Sequence, residues 1–163
     1  MKNQSYLSGT ILAGFGLFFL LRQYHFTPLE DFYSWPALLV IIGLGFLLQG
    51  YMGKDHDSIL PGAILAGIGI HFLIADTLDV WPAHEGIFLL AVAIGILLKY
   101  VKTGAGLFQG ILFLAGSILV LFFDRLAVWA SGKGLDMDMF GQLWPFAFLA
   151  AGVYFLLANR RKR

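Results

Sequence analysis

Six apolar runs, at about 6–21, 36–52, 59–75, 82–100, 106–123 and 143–158, take up most of this chain of 163 residues. Each is close to the lower end of the roughly 17–25 residues that a membrane-spanning helix needs. The polar breaks between them are brief, except for the one after Phe123. Only 13% of the residues are charged and 59% are hydrophobic, against roughly 25% charged in a typical soluble domain. So few charges cannot cover that much apolar surface in water. The composition therefore predicts an all-α integral membrane protein of six short transmembrane helices. With no cysteine in the chain, disulfide frameworks and thiolate chemistry are excluded.

The first run follows a single Lys2 and has no clear small-x-small cleavage site, so it reads as a retained helix and not a signal peptide. In the fourth run His84 and Glu85 follow Trp81-Pro82. They are accommodated if they occupy the first turn, where water reaches and the helix dipole favours an acid.

Lysine and arginine set the orientation. One side of a six-span topology holds Lys2, Lys54, Lys99, Lys102, Arg160, Arg161, Lys162 and Arg163, and the other holds only Arg22, Arg125 and Lys133. The positive-inside rule then predicts both termini in the cytoplasm. Eight of the ten acidic residues fall on the outer side, leaving the inner side at +6 and the outer at −5.

The runs also repeat. GTILAGFGLFFLL from Gly9 and GAILAGIGIHFLI from Gly62 are identical at eight of thirteen positions, and Leu-Ala-Gly recurs at Leu114–Gly116. Each Leu-Ala-Gly helix precedes one that opens on Trp-Pro, at Trp35-Pro36, Trp81-Pro82 and Trp144-Pro145. The chain reads as three tandem helical hairpins within a single polytopic domain: about 6–52, 59–100 and 106–159. The Trp-Pro pairs mark where a returning helix re-enters the membrane. Tryptophan suits the headgroup level, and proline loses nothing in a first turn whose N–H groups lack partners anyway. Gly9, Ala13 and Gly16 share one helix face, repeated by Gly62, Ala66 and Gly69, with Gly116 in the third copy. Such small-residue faces let helix backbones pack closely in lipid. All three hairpins share one orientation, which disfavours inverted-repeat transporters.

These residues carry a family resemblance. A Gly- and Leu-rich helix, a short polar loop and a Trp-Pro helix rich in glycine resemble the LiaI–LiaF-like transmembrane region of bacterial envelope-stress proteins. The unit from Leu7 to Tyr51 is the nearest match and the unit from Phe108 to Arg161 follows. In the second, Ala83, His84, Glu85 and Gly86 interrupt the returning helix. The resemblance implies a bacterial cytoplasmic-membrane protein tied to envelope physiology, in a family that includes modulators of two-component sensing and small membrane anchors. The soluble β-rich domain of LiaF-type members has no counterpart in this sequence, so inhibition of that type is not expected.

Chemistry is sparse. His71 replaces the Phe18 of the first copy and is an ionisable residue within a span, a functional candidate by default; its neutral reading is a satisfied structural histidine. With Asp76, His84 and Glu85 it forms the possible functional polar group of the outer side. No metal-ligand spacing, cofactor motif or nucleophile–base constellation is present, so no metal, cofactor or enzymatic activity is expected. No nucleic-acid partner is expected either. The segment 124–143 mixes apolar residues with acids and glycines, and reads as an interfacial connector or a docking segment. Two functions fit: a non-enzymatic accessory or scaffold whose partners are the lipid bilayer and another membrane protein or a second copy, or a small channel or carrier built from three parallel hairpins.

Overall fold

The computed structural model describes residues 5–24, 33–77 and 86–131, together with Phe146, Leu149, Ala150, Gly152 and Val153. Among these residues all regular structure is helical. The chain divides into two compact units, 1–121 and 122–163. The first contains α1 (Ser5–Gln23), α2 (Trp35–Tyr51), a 3-10 turn (His56–Ser58), α3 (Ile59–Thr77), α4 (Gly86–Thr103) and α5 (Leu107–Leu121). The second contains α6 (Phe123–Ser131).

Local chemistry sets the helix ends. Ser34 is extended (φ −117°, ψ 162°), and Pro36 lies in the first turn of α2, where its missing N–H leaves no bond unmade. At the far end of α2, the Met52 N–H donates to the Leu48 carbonyl at 2.8 Å. Lys54 then takes a left-handed conformation (φ 56°) that reverses the chain. The Asp55 carbonyl accepts from the Ser58 N–H at 2.9 Å, and the Ser58 hydroxyl donates to the Asp55 carboxylate at 3.1 Å. This closes the turn that launches α3. Between α4 and α5 the reversal falls on Gly104 (φ 69°) and Gly106 (φ 99°), a conformation strained for residues with a Cβ.

The helices pack in chain order, α1 on α2, α2 on α3, α3 on α4 and α4 on α5, with α2 and α3 the most intimate pair. Small residues line the contacts. Gly43, Gly45 and Gly50 of α2, Gly62, Ala63 and Ala66 of α3, and Ala91, Ala93 and Gly95 of α4 are buried. Large apolar side chains point outward instead, with Leu12 at 74%, Leu17 at 58% and Phe19 at 56% exposed. Water would penalise this inside-out arrangement, whereas hydrocarbon does not, because lipid tails are as apolar as leucine.

α1, α4 and the segment His56–Ala75, which takes in most of α3, are long and apolar enough to cross a membrane, whereas α2 and α5 are shorter apolar helices. Several expected boundaries shift. α1 and α3 continue two residues past the expected ends of their runs, and α4 continues three. The run expected at 106–123 breaks: α5 stops at Leu121 and α6 begins at Phe123. The described part of the fourth run starts at Gly86; Trp81, Pro82, His84 and Glu85 lie outside the described residues, as do Trp144 and Pro145.

Candidate functional site

Helix faces and buried polar groups are the candidate functional features of the described chain. Gly62 and Gly69 of α3 lie directly against the α2 backbone. A β-carbon built on Gly62 would lie 2.8 Å from the Leu47 nitrogen and 2.9 Å from the Gly43 carbonyl oxygen. On Gly69 it would lie 2.8 Å from the Pro36 carbonyl oxygen and 2.9 Å from the Val40 nitrogen. Gly43 in turn faces the backbone of the buried Ala66.

The sequence-equivalent face of α1 is placed differently. Gly9, Ala13 and Gly16 are exposed, and a β-carbon on either glycine would meet nothing within 4 Å among the described residues. α1 turns another face to α2, with Leu7 and Ile11 against Gly45 and with Gly14 against Ile41. Gly116 is half-buried in α5.

Among the described residues the buried polar side chains are Gln49, Asp55, Ser58, His71 and Ser117. Gln49 is 1% exposed, and its Oε1 accepts from the Leu7 N–H at 3.3 Å, across 42 residues. Leu7 is in the first turn of α1, where N–H groups have no partner within the helix. Gln49 therefore acts as a tertiary cap. At the same end of the bundle, Lys99 of α4 donates to Asp57 at 2.9 Å and the Lys102 ammonium sits 5.2 Å from the Tyr51 ring centroid. The exposed Lys99–Asp57 pair contributes only about 0–1 kcal/mol. Sequence reading passed over Gln49 and this lysine–aspartate pair. The signal for Gln49 was a lone amide near the end of an otherwise apolar run.

Towards the other end of α3, His71 is 5% exposed. Its ring centroid is 5.3 Å from that of Phe72 and 5.6 Å from that of Phe88, the latter edge-on, and Phe72 packs at 5.1 Å from Trp35. The imidazole is thus part of an aromatic cluster joining α2, α3 and α4. Pro36 is buried and Trp35 is 60% exposed. Asp76 belongs to α3 but its side chain lies outside the described set, as do His84 and Glu85, so the expected polar group is represented here by His71 alone. Among the described residues no three His, Asp or Glu side chains are grouped to hold a metal ion.

Ser117 is fully buried and donates to the Leu114 carbonyl of its own helix at 2.8 Å. Its hydroxyl is thus satisfied within its own helix. Ser117→Ala is expected to change stability by less than about 1 kcal/mol, because only a bond to an already helical carbonyl is lost. Thermal unfolding in mild detergent checks this.

Small residues in the helix contacts, large apolar ones outside and polar groups gathered towards the helix ends define a helical membrane protein. Residues 6–47, covering α1 and most of α2, match the LiaI-LiaF-like transmembrane region family. Over 162 residues the chain is 24% identical to YsxD of Bacillus subtilis (strain 168), described as an uncharacterized membrane protein; the alignment covers 99% of this chain and 98% of that one. No solved structure gives a significant match.

Proposed function

We propose that the protein is a non-enzymatic accessory or scaffold for other membrane proteins of the bacterial cell envelope, acting in the envelope-stress response. It spans the cytoplasmic membrane six times as three tandem hairpins, with both termini in the cytoplasm. The observation that carries this reading is the open face of α1. The Gly-x-x-x-Ala-x-x-Gly stripe from Gly62 to Gly69 is closed against α2, whereas the matching stripe from Gly9 to Gly16 faces outward. Small residues facing lipid forgo the packing that helix association in membranes depends on. A helix from another membrane protein restores it. The match of residues 6–47 to a region of envelope-stress proteins supports the setting, and the positive-inside count supports the orientation.

The test is tagged purification from native membranes in mild detergent, with mass spectrometry of what accompanies the protein. The expected result is a stoichiometric membrane partner that is lost when Gly9→Leu and Gly16→Leu are combined, while the melting temperature of the isolated protein is unchanged. A chain that purifies without a partner, or one whose partner ignores both substitutions, would sink the proposal.

A further inference from the structure

α6 is the described helix that is too short to cross a membrane and yet exposes large apolar side chains. Its nine residues extend about 14 Å. Phe122, the turn residue before α6 whose carbonyl accepts the Leu126 N–H at 3.0 Å, leads into Leu126 and Trp129, which fall at i and i+3 on one face of that helix. They are 47%, 43% and 61% exposed. The Arg125 guanidinium lies 5.8 Å from the centroid of the Phe122 ring, and Arg125 is exposed. By helical spacing Arg125 borders the apolar face, the position from which an arginine covers apolar surface with its stem and keeps its charge in water. Val128 falls well off that face, about 100° per residue from its neighbours.

What covers the face follows from the helix before it. The fifteen residues of α5 rise about 22 Å, roughly 8 Å less than a hydrocarbon core of about 30 Å. Ile111, Leu112, Ile118 and Leu119 of α5 are each between 44% and 53% exposed, an apolar outer surface that lipid accommodates. α6 begins two residues after α5 ends, so its start is within about 7 Å of that end. A helix launched there begins below the headgroups, at the depth of about 5–10 Å typical of interfacial amphipathic helices.

We infer that α6 is an interfacial helix whose Leu126 and Trp129 face, together with Phe122 at its entry, is buried in the headgroup–acyl boundary of the bilayer, with Arg125 reaching back to the headgroups. Its occupant is the lipid surface itself, held by apolar contact. The inference depends on α5 lying in the bilayer and not on the identity of any partner.

The absence of native cysteine makes the test direct. Phe122→Cys, Leu126→Cys and Val128→Cys are made singly in the full chain, spin-labelled and reconstituted in phosphatidylcholine vesicles. Collisional relaxation is then measured with oxygen, which concentrates in lipid, and with a water-soluble nickel chelate. The expected result is an excess of oxygen over nickel relaxation at 122 and 126, and the reverse at 128. Nickel access at all three positions would place the helix in water. Oxygen excess at all three would place it in the hydrocarbon core, and exclusion of both reagents would mean that protein covers it. Each of these three patterns overturns the inference. The single substitutions act on exposed residues, and an unchanged helical circular-dichroism signal confirms that each labelled chain is folded.

Discussion

Gly62→Leu is expected to lower the stability of the helical bundle by about 3 kcal/mol or more, beyond the 1–3 kcal/mol typical of overpacking. At Gly62 the first added carbon already falls within 2.9 Å of backbone atoms of α2. Backbone does not rotate aside as a flexible side chain does, so α2 and α3 must separate. The separation removes contacts along both helices, including those at Gly43 and Gly69. Gly9→Leu and Gly16→Leu provide the contrast, because both positions open onto free space. They are expected to leave stability within about 0.5 kcal/mol, or to raise it slightly, since glycine is a poor helix former. Unfolding of the detergent-solubilised protein, followed by circular dichroism against temperature or denaturing detergent, separates the two cases. Equal losses at Gly62 and Gly9 would show that the two stripes are packed alike.

Gln49→Leu is expected to be the most damaging change of a single polar group, costing about 1–3 kcal/mol. Leucine is of similar size, so the loss reflects the missing acceptor more than a void. The Leu7 N–H would be left without its bond in a setting that supplies little water, and the first turn of α1 would fray. Hydrogen exchange is expected to accelerate at Leu7 and its neighbours, with the amides of α3 and α4 unaffected. Gln49→Glu retains an acceptor oxygen and is expected to recover the slow exchange at Leu7 if the carboxylate is protonated. Exchange at Leu7 unchanged in Gln49→Leu would remove Gln49 from its role as cap.

The helical class of this fold was legible because apolar run length and Trp-Pro punctuation are local signals. Trp35-Pro36 starts α2 where the sequence puts it. The α5–α6 break was not legible, since Leu121, Phe122 and Phe123 continue one apolar run and hydropathy does not register a turn between apolar residues. Nor was Gln49, whose partner lies 42 positions away, a separation at which no spacing pattern survives. The two glycine stripes teach the same point more sharply. Their sequences are nearly the same, yet one is closed by α2 and the other is open. α1 meets α2 through Leu7, Ile11 and Gly14, which leaves the Gly9 face turned away. Which stripe is occupied depends on the neighbouring helix and not on the stripe itself.

The brevity of α2 and α5 bears on the membrane around them. At 17 and 15 residues they reach about 26 and 22 Å, short of a core of about 30 Å. Were both to span the bilayer as proposed, lipids beside them would compress or tilt their chains, at a cost of a fraction of a kcal/mol for each ångström of mismatch. That cost would fall when two such thinned annuli merge, so the bilayer itself would draw these molecules together. It also favours membranes that are already thin. The protein would accordingly gather in thin patches of bilayer and concentrate there before any specific contact forms.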